Sequence, residues 1–173
     1  MSYCDIIDSP VGRLFVGGSG AGLHRIEFVN EDGEEAVLAA RLEDDCGEPA
    51  EPDPRAAAAA TTQLREYFTG ARREFELTLA PRGTEFQLSV WKALLDVPYG
   101  ETASYGEIAA AVGRPSASRA VGAANGRNPI SIVAPCHRIV GANGSLTGYG
   151  GGLDRKAWLL NLEASALRPA RVA

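Results

Sequence analysis

Cysteine and histidine are scarce in this sequence. Its 173 residues include three cysteines and two histidines, and no two cysteines form a CxxC pair. So sparse and odd a set excludes the disulfide framework of small secreted domains. Cys4, His24 and Cys46 match no zinc-binding spacing, so we expect neither a metal nor another cofactor. In a reducing compartment each cysteine is then either buried filler or a working thiol.

Long apolar runs are also missing. Hydrophobic residues make up 45% of the chain, which is enough for a packed core, but charges or glycines interrupt every stretch before the ~18 residues of a membrane span. The N-terminus lacks the basic segment and apolar run of a secretory signal. We therefore expect a cytoplasmic protein that has no membrane partner.

Positive charge is in deficit overall, with a net charge of −5. The deficit is confined to one half. Residues 1–80 carry 7 basic and 16 acidic residues, whereas residues 81–173 carry 10 basic and 6 acidic residues. This asymmetry indicates that only the second half faces a polyanion. The acidic residues of the first half are also typical of a solvated surface, and both interpretations can hold together.

The first half has the pattern of a small α+β domain. Short alternating segments between turn-like segments predict strands, and an alanine-rich segment with apolar residues on one side predicts a helix. The predicted elements are strands over residues 3–8, 13–17, 23–29 and 74–79, helices over 32–43 and 55–69, and a loop over 47–54. We therefore predict an N-terminal domain over residues 1–80 with a small antiparallel sheet.

The second half is mostly helical. Two capping boxes, Thr84 with Gln87 and Ser104 with Glu107, predict the starts of two helices. A short connection around Gly113 leads to a third helix, which predicts a helix-turn-helix. The pair Asn143-Gly144 is a hairpin signal, which predicts a wing. The predicted bounds are 105–112 and 117–125 for the helix-turn-helix, 139–146 for the wing, 154–163 for a last helix, 83–165 for the domain and 166–173 for a tail.

The segment Pro135-Cys136-His137-Arg138 is the strongest chemical signal. A thiol beside an imidazole and a guanidinium predicts a lowered thiol pKa. Adjacent residues of an extended segment point to opposite faces, so His137 reaches Cys136 only through a sharp turn or a bridging water. We favour a water-bridged pair. On these residues alone, a structural thiol remains an alternative.

Two further residues are candidates with ordinary alternatives. A carboxylate should orient the imidazole, and Glu163 is one of several acids that could do so; it is equally typical of an exposed helical glutamate. Arg119 lies near the start of a predicted helix and is, on its own, typical of a phosphate contact or of a solvent-facing helix residue. This helix is rich in small residues, from Ala117 to Ala124. Such a helix either lets a ligand approach its backbone closely or packs against a neighbouring helix.

An ordered set of motifs resembles the methylated-DNA–protein-cysteine methyltransferases, also called O6-alkylguanine-DNA alkyltransferases. The motifs follow the family order over roughly residues 83–163, whereas the N-terminal half is similar only in pattern, as expected for the family's variable ribonuclease-H-like domain. They are Gly83-Thr84-Glu85-Phe86-Gln87, Val90-Trp91, Pro98-Tyr99-Gly100, Ser104-Tyr105-Gly106, Arg119-Ala120-Val121-Gly122, Asn128-Pro129, Ile132 to Val140 around the cysteine, Gly148-Tyr149-Gly150-Gly151, and Lys156 with Leu159-Leu160 and Glu163.

The resemblance implies a function and five catalytic residues. The function is a single, irreversible transfer of an alkyl group from O6 of guanine, and from O4 of thymine, in double-stranded DNA. Cys136 is the implied acceptor and His137 its base through a water. Glu163 orients His137, Asn128 ties the turn before the cysteine to the recognition helix, and Tyr105 donates a hydrogen bond or proton to guanine N3.

The resemblance also implies how DNA and the base are bound. Arg119 takes the place of an extruded nucleotide, since O6 is stacked inside the duplex and the base must rotate out. The recognition helix docks in the minor groove, where readout is degenerate, and the free protein is a monomer. The implied DNA-binding residues are Arg119, Tyr105, Gly106, Arg114, Ala117 and Ser118, with Arg127 a further phosphate candidate; the implied substrate-binding residues are Ile139, Tyr149, Gly150 and Lys156.

This chain departs from some relatives at one of these positions. Gly150 stands where some relatives have serine, so a side-chain contact to the base would be absent here. Three other classes of protein remain as alternatives on the sequence: a lesion-binding relative, although that would lack Cys136; a winged-helix transcription regulator; and a cysteine hydrolase, which would need an oxyanion hole.

Overall fold

The N-terminal half folds around a four-stranded sheet in this computed structural model, which describes residues 1–168. The strands are β1 (Ser2–Ile7), β2 (Arg13–Ser19), β3 (Gly22–Val29) and β4 (Ala50–Pro52), in the order β3-β2-β1-β4. The first three pair antiparallel, as the sequence predicts, whereas β4 pairs parallel to β1. The prediction of a loop at β4 was wrong, because this short edge strand exists only through its pairing with β1.

Two helices cover the two faces of this sheet. Helix α1 (Glu34–Cys46) packs Leu38 and Leu42 against one face, and helix α2 (Ala58–Phe68) packs on the other. The alternation of β2 explains this arrangement, since Phe15 points toward α1 while its neighbours Leu14 and Val16 point toward the α2 side. The predicted helices are confirmed, with bounds shifted by one to three residues.

The segment over residues 74–79 is extended but is not a strand. It meets the sheet at a single bridge, where the backbone N–H of Leu23 donates to the carbonyl of Thr78 at 2.8 Å. The side chain of Gln63 bonds both the N–H and the carbonyl of Glu76. Because a side chain satisfies these backbone groups, the segment does not need a partner strand, and the prediction of a strand here was wrong.

Four helices dominate the C-terminal half: α3 (Glu85–Leu94), α4 (Tyr105–Ala111), α5 (Ser118–Gly126) and α6 (Leu153–Leu167). Both predicted capping boxes are present, with the backbone N–H of Gln87 and that of Glu107 donating at 3.1 Å to the hydroxyls of Thr84 and Ser104. The α+β fold class is confirmed.

The last helix changes the predicted C-terminal boundary. Helix α6 continues to Leu167, so residues 166 and 167 of the predicted tail are helical; residues 169–173 lie outside the described part. Leu159 of α6 is completely buried in the core of the N-terminal half. Helix α6 therefore joins the two halves and brings its other side chains to the boundary between them.

The predicted wing over residues 139–146 does not form a hairpin. Its first strand, β6 (Ile139–Val140), pairs parallel with β5 (Ala103–Ser104). The backbone N–H of Gly141 donates to the carbonyl of Ser145 and closes a turn. Among residues 1–168 no strand follows this turn. The Lys156 ammonium donates to the carbonyls of Ile139 and Thr147.

Helices long and apolar enough to cross a membrane are not found among residues 1–168.

Candidate active site

Cys136 sits in a sharp turn at the centre of the C-terminal half. Residues Cys136–Arg138 form one turn of 3₁₀ helix, and the N–H of Arg138 donates to the carbonyl of Pro135 at 3.0 Å. Ile132, four residues upstream, has a φ of 73°, which is strained for a β-branched residue. Residues 132–140 are all buried. The sequence required either a sharp turn or a bridging water between His137 and Cys136, and the sharp turn is present.

Cys136 is 3% exposed, and burial raises the pKa of its thiol. Asn128, the positive charge of Lys156 and the hydroxyl of Tyr149 oppose this effect without reversing it. The predicted lowering of the thiol pKa was therefore wrong. Arg138, whose charge the prediction invoked, binds Glu163 and the carbonyl of Val97. A thiol of this kind is protonated near neutral pH and needs a base to react.

His137 and Glu163 form a fully buried pair, with Nε2 of the imidazole 2.7 Å from Oε2 of the carboxylate. An ionised carboxylate only accepts hydrogen bonds, so Nε2 carries the proton and Nδ1 is the acceptor. Among the described residues Nδ1 has no hydrogen-bond partner, and so no direct bond joins the imidazole to the Cys136 thiol. Burial lowers the pKa of His137, although Glu163 counteracts it.

Glu163 receives hydrogen bonds from four residues. Oε2 accepts from Tyr67 at 2.6 Å as well as from His137, and Oε1 accepts from the backbone N–H of Gly100 at 3.1 Å. Arg138 donates to both oxygens, at 2.8 and 3.1 Å. Burial alone would raise the pKa of this carboxyl, but the bonds from His137 and Arg138 outweigh burial and lower it to about 2. Glu163 is thus an ionised, fixed group, not an exposed helical glutamate.

Sequence reasoning missed the three partners that hold Glu163 beside His137. Arg138 and Gly100 lie within the family motifs of the sequence, but no local pattern connects either residue with a carboxylate. Tyr67 was predicted only as one residue of an apolar helix face. Its hydroxyl meets Glu163 from 96 residues away, a pairing that no local pattern signals.

Asn128 holds the chain that leads to the cysteine. Its Nδ2 donates to the carbonyls of Ala134 at 2.8 Å and Ile130 at 3.4 Å, and its Oδ1 accepts from the N–H of Ile130. It lies two residues after the end of helix α5, in which Asn125 donates to the Cys136 carbonyl at 3.4 Å. Helix α5 and the cysteine turn are therefore connected by two asparagines, of which the sequence identified one.

Lys156 and Tyr105 meet at one carbonyl. The ammonium of Lys156, which is completely buried, donates to the carbonyls of Ile139 and Thr147. The Tyr105 hydroxyl donates to the same Thr147 carbonyl at 3.1 Å. These bonds fix the loop before Tyr149 against β6 and α4.

A cavity of about 190 Å³ opens onto Cys136. Tyr149 and Gly150 line it together with Phe28 of β3. The ring of Phe28 meets that of Tyr149 edge-on, with 6.1 Å between centroids. Two of the predicted substrate residues, Tyr149 and Gly150, therefore line the cavity together with residues of the N-terminal half, a contact that no sequence pattern predicts. The other two predicted substrate residues, Ile139 and Lys156, are not among the residues that line the cavity.

The predicted DNA-binding residues lie on and around α4 and α5. Arg119 is exposed, as are the neighbouring Ala120 and Ala123, so α5 presents a face of small side chains around one arginine. Its other face buries Val121 and Ala124. Gly106 and Arg114 are exposed and Ala117 and Ser118 are half-buried near the start of α5; the guanidinium of Arg114 stacks 5.5 Å from the Phe86 ring.

No set of three histidine, cysteine or acidic side chains converges as metal ligands would within residues 1–168.

Comparison with known proteins identifies both halves. Residues 2–81 match the ribonuclease-like domain of the 6-O-methylguanine DNA methyltransferases, and residues 85–165 match the DNA binding domain of the same proteins. The methylated-DNA–protein-cysteine methyltransferase of Mycobacterium tuberculosis H37Rv is 50% identical over 165 residues, which is 95% of this chain and 94% of that protein. That of Methanosarcina barkeri is 46% identical, covering 96% and 99%.

Solved structures give the same result. The structure of Mycobacterium tuberculosis OGT in complex with DNA superposes with a TM-score of 0.82 at 48% identity, covering 97% of this chain and 96% of that one. The fold is thus a ribonuclease-like domain followed by a DNA-binding domain. The chain belongs to the 6-O-methylguanine DNA methyltransferase family.

Proposed function

We propose that this protein repairs DNA by direct reversal, moving an alkyl group from O6 of guanine, or from O4 of thymine, in double-stranded DNA to Cys136. The observation that carries the proposal is the buried series of Cys136, His137 and Glu163 inside the segment that matches the family's DNA-binding domain. The relatives named above are methyltransferases of this kind. Neither a transcription regulator nor a cysteine hydrolase is supported by any of these comparisons.

His137 is suited to act as the base. Its lowered pKa keeps the imidazole neutral near neutral pH, and Glu163 fixes the proton on Nε2, which leaves Nδ1 to accept. We propose that the thiol proton moves to Nδ1 through a bridging water, because no direct bond joins the two groups. The imidazolium that forms is stabilised by the ionised Glu163.

The thiolate then attacks the alkyl carbon in line with its bond to O6. A sulfur–carbon bond forms while the carbon–oxygen bond breaks, and the electron pair of the broken bond stays on guanine, which takes up a proton. Tyr105, held beside the loop at Thr147, donates to N3 of the leaving base. Ile139, Tyr149, Gly150 and the loop fixed by Lys156 position that base over the cysteine.

The transfer is expected to happen once per molecule. A thioether is stable, and its removal would need another nucleophile. The other cysteines, Cys4 and Cys46, belong to the sheet and helix of the N-terminal half. The product is therefore an inactive, alkylated protein.

Helix α5 is proposed to dock in the minor groove of DNA. Its small exposed side chains allow the groove walls to approach the backbone, and Arg119 is free to enter the duplex in place of the extruded nucleotide, which offsets part of the few kcal/mol that extrusion costs. Gly106, Ala117 and Ser118 border the same face, and Arg114 is placed to meet phosphates. Two further expectations stay predictions: the free protein is a monomer, and it works in the cytoplasm.

Alkyl transfer and DNA binding can be tested separately. Wild-type protein and Cys136→Ala are mixed with a duplex that contains one O6-methylguanine, and transfer and binding are measured in parallel. We expect Cys136→Ala to lose transfer completely and keep its affinity for the duplex. Transfer by the variant would contradict the proposal.

A further inference from the structure

The Glu163 carboxylate is bound from both halves of the molecule. Helix α6 carries it, the cysteine turn supplies His137 and Arg138, and helix α2 of the N-terminal half supplies Tyr67. The Tyr67 hydroxyl donates to Oε2 at 2.6 Å, and Tyr67 is completely buried. Its ring is held edge-on by those of Phe68 and Tyr99, so the hydroxyl has little freedom to point elsewhere.

The oxygen that Tyr67 binds is the one that binds His137. Oε2 accepts from Tyr67, from Nε2 of His137 and from one guanidinium nitrogen of Arg138. Each donor withdraws charge from this oxygen, so each weakens the hold of the carboxylate on a proton of the imidazole. The hydroxyl therefore competes directly with the bond that would stabilise protonated His137.

We propose that Tyr67 is a positioning residue for alkyl transfer: it fixes Oε2 of Glu163 toward His137 and lowers the basicity of the imidazole. The ribonuclease-like domain thus takes part in the reaction through one hydroxyl in addition to supporting the fold. This inference rests on the proposed function, since it assigns His137 the role of base.

The charged groups around His137 shift its pKa in both directions. Glu163 favours its protonated form, whereas Arg138 and Lys156 disfavour it, and all three are buried. Tyr67 is the neutral donor that acts on Glu163 from outside the C-terminal half. The groups around His137 that can titrate or carry charge come from five segments. They are Glu163 and Lys156 of α6, Cys136 and Arg138 of the turn, Tyr67 of α2, Tyr99 before α4, and Tyr149 of the loop.

The test is the pH dependence of the single-turnover transfer rate for Tyr67→Phe. Transfer falls at low pH as His137 becomes protonated. Without the hydroxyl, Oε2 holds the imidazole proton more strongly, so we expect this fall to begin at a pH higher by about half a unit or more, the size of one ordinary hydrogen bond. At pH values above this fall, the transfer rate should also drop several-fold, because Oε2 of Glu163 is no longer fixed toward His137. The affinity for DNA should be unchanged.

Tyr99→Phe is the matched control. It removes a second buried hydroxyl of the same aromatic cluster, but one without a hydrogen-bond partner among the described residues. We expect its pH profile to match that of the wild type. A merely structural Tyr67 would lower the unfolding temperature of Tyr67→Phe and leave its pH profile unmoved, and that result would overturn the inference.

A second variant covers the case in which Tyr67→Phe does not fold. Site-specific 3-fluorotyrosine at position 67 keeps the ring and the bond but donates more strongly, so the profile should move to lower pH. An unmoved profile in a folded protein contradicts the inference. If the wild type itself transfers no alkyl group, the proposed function fails; if the wild type transfers and the position 67 variants behave like it, only this inference fails.

Discussion

Nε2 of His137 lies 2.7 Å from Oε2 of Glu163, and neither side chain has any exposed surface. A carboxylate in this position is ionised only because several donors compensate for its burial. The His137–Glu163 pair therefore contributes to the stability of the fold as well as to the proposed reaction. Its contribution to stability can be followed through the pH dependence of the free energy of unfolding.

Replacing Glu163 by glutamine should destabilise the protein and stop transfer. Glutamine leaves Arg138 and Tyr67 without their charged partner, and breaking a buried pair of this kind costs about 3–5 kcal/mol. The free energy of unfolding at pH 7, measured by urea denaturation, should fall by that amount. Asp154→Asn, an exposed change on the same helix, should stay within about 0.5 kcal/mol of the wild type.

The stability that Glu163 provides should disappear in acid. Its pKa is lowered from the ordinary 4.5 to about 2 in the folded protein, so its contribution is complete above pH 4.5 and is lost as the pH falls toward 2. The shift corresponds to about 3 kcal/mol. The difference in unfolding free energy between wild type and Glu163→Gln should narrow over this range; a constant difference would mean that the carboxyl is not held ionised.

Asn128→Ala should loosen the cysteine turn. The change removes one of the two hydrogen bonds to the Ala134 carbonyl and leaves the buried N–H of Ile130 without its partner, at a cost of about 1–3 kcal/mol. Transfer should slow at least tenfold, with DNA binding retained. Asn161→Ala replaces an exposed asparagine of α6 and should change neither quantity. Equal rates for the two variants would rule out a positioning role for Asn128.

The sequence predicted best what is decided within a few residues. Capping boxes at Thr84 and Ser104 form because the bonded groups are three positions apart. The short strand β4 and the extended segment over 74–79 were predicted incorrectly, since each depends on a partner that is distant in the sequence.

In the candidate site too, local features were predicted correctly and features that depend on the fold were not. Motifs identified Cys136, His137 and Glu163, but the direction of the thiol pKa was wrong, because burial outweighs the nearby charges and burial is a property of the fold. The sequence pairs Arg138 with Cys136 by adjacency, whereas the turn directs its guanidinium to Glu163. Tyr67 could not be found at all, since its contact joins two domains.

Arg119→Ala should impair extrusion of the base more than binding to DNA. A fluorescent base analogue opposite the lesion reports extrusion, and we expect a reduced signal and a transfer rate at least tenfold lower, while affinity for undamaged duplex changes little. Arg65→Ala, an exposed arginine of α2, should have no effect. Loss of undamaged-DNA binding in proportion to transfer would instead indicate an ordinary phosphate contact.

The stoichiometry of transfer tests the central claim most directly. Excess O6-methylguanine duplex is incubated with the wild-type protein, and the intact protein and its peptides are weighed by mass spectrometry. The proposed mechanism predicts one added methyl group per molecule, located on Cys136, and one guanine restored per protein. Continued restoration of guanine beyond that ratio, or a methyl group on Cys4 or Cys46 in place of Cys136, would contradict it.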